Sequence, residues 1–275
     1  MTFNPKAGSF YRMPIFFGPT PGPRQWPAGM TFDFKQTPKR RVAGVRFLSD
    51  AQQLSALLPD RFELWGEPIV TVELTYFTEI GWLAGRGYNM CDVKFEVRYQ
   101  GKDGPVCGTL VLVRWENLCD PIVAGREELG HNKLYCEIPP LNVLAGKYTA
   151  TMSWLSTPFL DFSLYGLKEA AELPGTRNPE HQGMISYKYI PRTGQWGEAE
   201  VEYATLSPSS SHTVSVTSRL HGEGTVAFRR ATWEELPTLH HVVNAFADLK
   251  ALSFTGGYLF DAVGGGSVAD THRLY

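Results

Sequence analysis

The chain has 275 residues, and its 26 lysines and arginines against 28 aspartates and glutamates give a formal net charge of −2. A chain of this length can bury a core without disulfides or a metal. Because it has no basic run and no stretch near the roughly 18 consecutive apolar residues of a membrane span, we expect neither a nucleic-acid partner nor membrane insertion. The composition, with 27 glycines, 19 prolines and 13% aromatic residues, favours short strands and turns.

Residues 1–30 are predicted to form an extended arm. Six prolines alternate there with aromatic residues, a pattern that excludes a helix or a central strand. We expect the arm to lie on its own domain or on a neighbouring subunit, with a disordered tail as the alternative. Residues 31–275 then form one domain, and the aromatic arm favours a homo-oligomer.

The next elements are strands separated by short helices. Residues 42–48 are predicted to be a strand, and the capping pattern from Ser49 to Gln52 starts a short helix that ends at Pro59. Residues 69–77 alternate apolar and polar side chains, so Glu73 is expected on the face opposite the buried one. Glycines at 101–104 predict a hairpin turn. Further predicted strands are 92–99, 106–115, 133–138, 147–154, 184–190, 199–206, 213–219 and 225–228.

Two longer helices are predicted within this β pattern. Asp120 suits an N-cap and Gly130 a C-terminal cap, so residues 121–129 should be helical. Apolar residues repeat at helical spacing over 233–250. Many short strands without a linker favour a closed barrel or a sandwich, since closure removes strand edges. We predict an α+β, mostly β single domain with a closed antiparallel β-barrel, extra strands and a few helices.

Common nucleotide and metal motifs are absent from the sequence. Adjacent residues on a helix point about 100° apart, so His240 and His241 cannot chelate one ion. We predict no metal and no cofactor. The four well-separated cysteines are read as reduced, mostly buried thiols, which favours a cytoplasmic protein.

The segment Gly125-Arg-Glu-Glu-Leu-Gly-His-Asn-Lys133 carries a specific likeness. It resembles the acetoacetate decarboxylase superfamily, in which a Gly-Arg-Glu segment precedes, at this spacing, the lysine that forms a Schiff base. The order of Arg40, the strand and helix over 42–59, Glu73 and the region 222–260 is also similar to that family. The resemblance implies a β-barrel lyase in which Lys133 is the nucleophile and Glu73 is catalytic.

Further site residues follow from the resemblance. Arg40 would orient a substrate carboxylate, and Tyr88 or Asn89 would position a leaving hydroxyl. Arg126 would bind substrate or help to activate Lys133, although an ion pair with Glu127 that fixes the loop is an alternative. Tyr258 could donate a proton or be a buried core residue. Surface positions remain alternatives for Glu73 and Arg40.

An imine-forming lysine must be neutral, so its pKa has to fall from about 10.4 to about 7. In acetoacetate decarboxylase a neighbouring cationic group activates the lysine, but here the residue after Lys133 is Leu134. Residues 88–91 also lack the second glutamate of the decarboxylases. We therefore expect burial to supply more of the pKa shift.

The predicted activity is decarboxylation of a small keto acid through a Lys133 imine. An aldolase-dehydratase acting on pyruvate-type keto acids and aldehydes through the same imine is the first alternative. The second is a non-catalytic barrel that binds an apolar metabolite and uses Lys133 to pair with its carboxylate.

Overall fold

The computed structural model describes residues 5–172, 178–209, 212–266 and 268–275, so residues 1–4 of the predicted arm lie outside the described ranges. About half of the described chain is β-strand and helices are few, as predicted. The strands are β1 Lys39–Leu48, β2 Phe62–Leu64, β3 Ile69–Thr78, β4 Asn89–Gly101, β5 Gly104–Glu116, β6 Lys133–Tyr135, β7 Asn142–Leu144, β8 Lys147–Trp154, β9 Thr157–Glu169, β10 His181–Pro191, β11 Ala199–Pro208, β12 His212–Phe228, β13 Ser253–Gly266 and β14 His272–Arg273.

These strands form one mixed sheet in the order β14-β11-β10-β5-β4-β3-β1-β13-β12-β9-β8-β7, with β2 paired to β4 and β6 paired to β5. The sheet is not closed, so the predicted closed antiparallel barrel is not supported. After β6 the described chain makes one isolated bridge, between Glu137 and Ser153 of β8. Pro139 and Pro140 follow closely, and they lack the N–H groups that would extend this pairing. Two pairs, β5 with β10 and β5 with β6, are parallel.

The α-helices are α1 Ala51–Ser55, α2 Cys119–Ala124 and α3 His240–Ala247. The Asp50 side chain caps α1 by accepting hydrogen bonds from the N–H groups of Gln52 and Gln53. A π-helical turn, Gly125–Leu129, continues α2, and Gly130 ends it with a φ of 76°, as its predicted role as C-cap requires. The N-cap of α2 is Leu118, so the predicted Asp120 cap is wrong.

Helix α3 is shorter than the predicted helix over 233–250. Thr232 and Glu235 cap each other's backbone N–H groups in one turn. Pro237 then interrupts the main-chain hydrogen bonds, so continuous helix begins only at His240. No helix within the described ranges is long and apolar enough to cross a membrane.

Alternation along the strands separates the core from the opposite face of the sheet. In β4 the side chains of Cys91, Val93, Phe95 and Val97 are almost fully buried in the main hydrophobic cluster. Full burial of a valine or phenylalanine contributes about 1.5–3 kcal/mol. Asp92 and the other intervening residues of β4 therefore point to the opposite face. The hairpin predicted at 101–104 connects β4 to β5.

The segment before β1 contacts the domain near the predicted nucleophile. Arg12 and Arg24 both form ion pairs with Glu128 of the π-helical turn, and the Arg12 Nε to Glu128 Oε1 distance is 2.8 Å. All three side chains are largely buried. The boundary at residue 30 and the homo-oligomer stay predictions.

Candidate active site

Strand register aligns a row of residues, most of them titratable, on one face of the sheet. Residues paired directly across neighbouring strands project from the same face of a sheet. The row crosses β6, β5, β4, β3, β1 and β13, and it consists of Lys133, Arg114, Asp92, Glu73, Gly44 and Tyr258. Residues far apart in the sequence thus meet on the face opposite the core.

A cavity of about 730 Å³ opens over part of this row. Its polar wall includes Glu73, Asp92, Lys94, Arg114 and His131. Its aromatic wall includes Phe32, Phe34, Phe77, Trp82, Tyr88 and Phe260. Among its lining residues, Pro23, Phe32 and Phe34 come from the segment before β1. A concave site that combines aromatic side chains with converging polar groups is typical of a small-molecule pocket.

Glu73 has a partner on each carboxylate oxygen. Its Oε1 lies 2.5 Å from the Lys94 ammonium, and its Oε2 accepts a hydrogen bond from the Tyr258 hydroxyl. Burial, reinforced by the Glu73 charge, raises the pKa of Tyr258 well above its ordinary value, so this phenol stays protonated. The Tyr258 ring occupies the space that a side chain at Gly44 would fill, which explains the glycine in the row.

Asp92 and Arg114 form a buried bidentate ion pair. Arg114 donates from Nε and Nη2 to the two oxygens of Asp92, at 2.6 and 2.7 Å. Burial alone would raise the pKa of Asp92, but the Arg114 charge and these hydrogen bonds lower it. The same pairing outweighs burial and raises the pKa of Arg114. The pair is therefore ionised and fixes the centre of the row.

Lys133 lies at one end of the row with its amine beside Glu116. The Nζ atom is 2.7 Å from Glu116 Oε1 and donates to the Pro121 carbonyl oxygen at 2.8 Å. The side chains of Lys133 and Glu116 are 6% and 0% exposed. Burial lowers the pKa of Lys133 and raises that of Glu116, although each charge opposes the shift of the other. Both directions favour a neutral amine, the form that attacks a carbonyl.

Replacing Glu116 by glutamine is expected to lower the pKa of Lys133 further, because the Glu116 charge now raises it. The acid limb of the pH profile of kcat/KM should move down by about one to three pH units. The measurement is turnover of a keto acid across pH, with Glu63→Gln, an exposed glutamate of β2, as the control. A limb that moves upward would contradict this electrostatic role.

Gly125 lets the Lys133 side chain pass close to the π-helical turn. A Cβ at Gly125 would lie 2.7 Å from Lys133 Nζ and Cδ, and closer still to Cε. A methyl group there must displace the amine, and a shift of about 1 Å at a reacting group can cost about 10²-fold in rate.

We therefore expect Gly125→Ala to lower turnover by about 10²-fold at a stability cost of about 1–3 kcal/mol from overpacking. Steady-state kinetics and urea unfolding measure the two effects. Native turnover in the folded variant would show that the close approach has no role in placing the amine.

The other predicted site residues divide into two groups. Arg40 and Tyr88 line the cavity with Glu73. Arg40 donates to the Gly264 carbonyl, its guanidinium lies 5.0 Å from the Phe77 ring centroid, and its buried Nε has no hydrogen-bond partner among the described residues. Burial lowers the pKa of Arg40 and raises that of Tyr88.

Asn89 and Arg126 do not line the cavity. The Asn89 amide donates to the Ile138 carbonyl oxygen at 2.8 Å. Arg126 donates to the carbonyl oxygen of Lys133, also at 2.8 Å, so it holds the backbone of the predicted nucleophile. Lys133 itself lies beside the cavity and is not among its lining residues. The roles assigned to these residues remain predictions.

Sequence reasoning missed Asp92, Lys94, Arg114, Glu116 and His131. For the four strand residues a signal was present, because each alternates with apolar neighbours in β4 or β5 and so projects from the face opposite the core. The pattern gives their face but not the register that pairs Asp92 with Arg114. For His131, which precedes β6, we identify no such signal.

Comparisons with known proteins bear on the fold and the family. The search of curated sequences gave no significant match. The fold is similar to MppR, an enduracididine biosynthesis enzyme solved with the condensation product of pyruvate and imidazole 4-carboxaldehyde (13% identity, TM-score 0.64, covering 86% of this chain and 87% of that one). It is also similar to acetoacetate decarboxylase from Legionella pneumophila (18% identity, TM-score 0.62, covering 90% of this chain and 93% of that one). An acetoacetate decarboxylase-like enzyme from Sphingomonas wittichii RW1 is a third similar structure (16% identity, TM-score 0.61, covering 86% of this chain and 91% of that one).

At these identities the structural likeness shows the fold alone. The sequence itself gives the family, because the model described as acetoacetate decarboxylase (ADC) matches residues 12–263, which is most of the chain. The chain belongs to the acetoacetate decarboxylase family.

Proposed function

We propose that the protein is a carbon–carbon lyase that forms a Schiff base between Lys133 and a small keto acid and then decarboxylates it. Membership of the family supports lyase activity. The observation that carries the proposal is the burial of the Lys133 side chain, which is 6% exposed: burial lowers the pKa of the amine and so favours its neutral, nucleophilic form.

The residues around the cavity suit the steps of such a reaction. Lys133 attacks the keto carbon, and loss of water leaves a protonated imine. When carbon dioxide departs, the electron pair of the C–C bond becomes the C=C bond of an enamine and the C=N electron pair moves to the nitrogen. The enamine carbon then takes a proton. Arg40 suits a substrate carboxylate because its buried Nε lacks a hydrogen-bond partner among the described residues. Lys94, which lines the cavity beside Glu73, suits positioning of the substrate oxygens, and Tyr258 holds the other oxygen of Glu73.

Reductive trapping tests the covalent step. The protein is incubated separately with acetoacetate and with pyruvate, reduced with borohydride, and digested for mass spectrometry. We expect one adduct, on Lys133. An adduct on Lys94, which lines the cavity directly, would sink the assignment, and no adduct with either acid would favour a protein that only binds a metabolite.

Aldol condensation with dehydration is a second candidate. The cavity of about 730 Å³ is large for acetoacetate alone, and its aromatic wall suits a second, apolar reactant. MppR, which has a similar fold, was solved with the condensation product of pyruvate and imidazole 4-carboxaldehyde. Carbon dioxide release from acetoacetate identifies the decarboxylase, whereas loss of an added aromatic aldehyde in the presence of pyruvate identifies the aldolase.

A further inference from the structure

His131 is a buried side chain without a hydrogen-bond partner. The residue is 7% exposed, and neither Nδ1 nor Nε2 has a partner among the described residues. A buried polar group without a partner costs about 1–3 kcal/mol, so its retention calls for an explanation. The imidazole lines the large cavity, where a ligand could supply the missing partner.

The backbone places His131 beside the nucleophile. The His131 N–H donates to the Gly125 carbonyl at 3.0 Å, and the Lys133 N–H donates to the His131 carbonyl at 2.9 Å. Gly125 is also the residue against which the Lys133 side chain packs. The His131 backbone and the Lys133 side chain therefore both lie against Gly125.

The cavity's two carboxylates are poorer candidates for a base. Both oxygens of Glu73 are engaged, by Lys94 and Tyr258, and both oxygens of Asp92 are engaged by Arg114. Burial lowers the pKa of His131 well below its ordinary value, and the charges of Arg114 and Lys133 lower it further. The imidazole is thus neutral, and one of its nitrogens has a free lone pair.

We propose that His131 is the residue that moves the proton to and from the carbon next to the imine. Starting from the protonated imine on Lys133, His131 takes a proton from this carbon. The C–H electron pair becomes the C=C bond of the enamine, and the C=N electron pair moves to the nitrogen. The positive charge passes from the imine to the imidazole, so the total charge of the site is unchanged. In the reverse direction the imidazolium protonates the enamine carbon.

This inference rests on the proposed Schiff base, and hydrogen exchange separates the two. Exchange of the pyruvate methyl protons in D₂O through the imine requires that an enamine form and be reprotonated, and the slow exchange through the enol is measured without protein and subtracted. We expect the native protein to catalyse this exchange and His131→Gln to lower its rate by about 10²-fold or more, the usual contribution of a general acid–base residue. The borohydride adduct on Lys133 should persist in the variant, which a merely structural defect would not allow.

His131→Phe serves as a second variant in case the amide perturbs the fold, and thermal unfolding checks both. His241→Gln, an exposed histidine on α3, is the control and should exchange at the native rate. Native exchange in either folded His131 variant overturns the inference while leaving the Schiff base intact. Absence of the adduct from the native protein overturns the proposed function instead.

Discussion

Replacing Lys133 by methionine is expected to lower keto-acid turnover by at least about 10³-fold and to remove the borohydride adduct, because the amine proposed to form the imine is then absent. The variant should fold. Removing one partner of a buried ion pair destabilises a fold when the other charge stays buried and unpaired. Burial already raises the pKa of Glu116, so this carboxyl can take a proton when its partner is gone.

The matched control is Lys188→Met. Lys188 is also buried, and its Nζ donates to the Glu127 carbonyl of the same π-helical turn, but it lies outside the row that ends in Lys133. We expect this variant to keep the adduct. Steady-state kinetics, mass spectrometry and urea unfolding compare the two proteins, and an adduct that survives in folded Lys133→Met would rule out Lys133 as the nucleophile.

Replacing Asp92 by asparagine is expected to lower the free energy of unfolding by about 3–5 kcal/mol, because it leaves the Arg114 charge buried without its counter-ion. The chain offers an exposed pair of the same geometry for comparison. Arg41 binds both oxygens of Asp261, at 2.8 and 2.9 Å, but these side chains are 50% and 34% exposed. Asp261→Asn should lower the free energy of unfolding by only about 0.2–1 kcal/mol.

Urea unfolding at several pH values checks this contrast. The pKa of Asp92 is lowered in the folded protein, so its contribution is present above the unfolded-state pKa of the carboxyl. It is lost as the pH falls through the folded-state pKa. The difference in free energy of unfolding between the native protein and Asp92→Asn should therefore shrink in acid. If Asp92→Asn and Asp261→Asn lower the free energy of unfolding equally at neutral pH, the assigned role of burial is refuted.

Local patterns in the sequence predict much of the strand content. Alternation over 69–77 predicts β3 and places Glu73 on the face opposite the core, where the structure has it. Residues 253–266 were not predicted as a strand because five glycines, which are disfavoured in strands, interrupt them. In the structure this segment is β13, which carries Tyr258 between β1 and β12.

Long-range pairing lies beyond such patterns. Closure was inferred from the number and spacing of strands, but it depends on whether the two outer strands meet, which no local signal specifies. Glu116 was missed for a similar reason. It is the last residue of β5, and its partner Lys133 reaches it only through the parallel pairing of β5 with β6.

The row from Lys133 to Tyr258 restricts how the chain can change length. Side chains alternate between the two faces of a strand, so one residue inserted into β3 or β4 before its row member would turn Glu73 or Asp92 toward the core. An insertion in the hairpin at 101–104 leaves both strands in phase. Homologous enzymes should therefore vary in length at the turns, and indels within β3, β4 or β5 should occur in pairs or not at all.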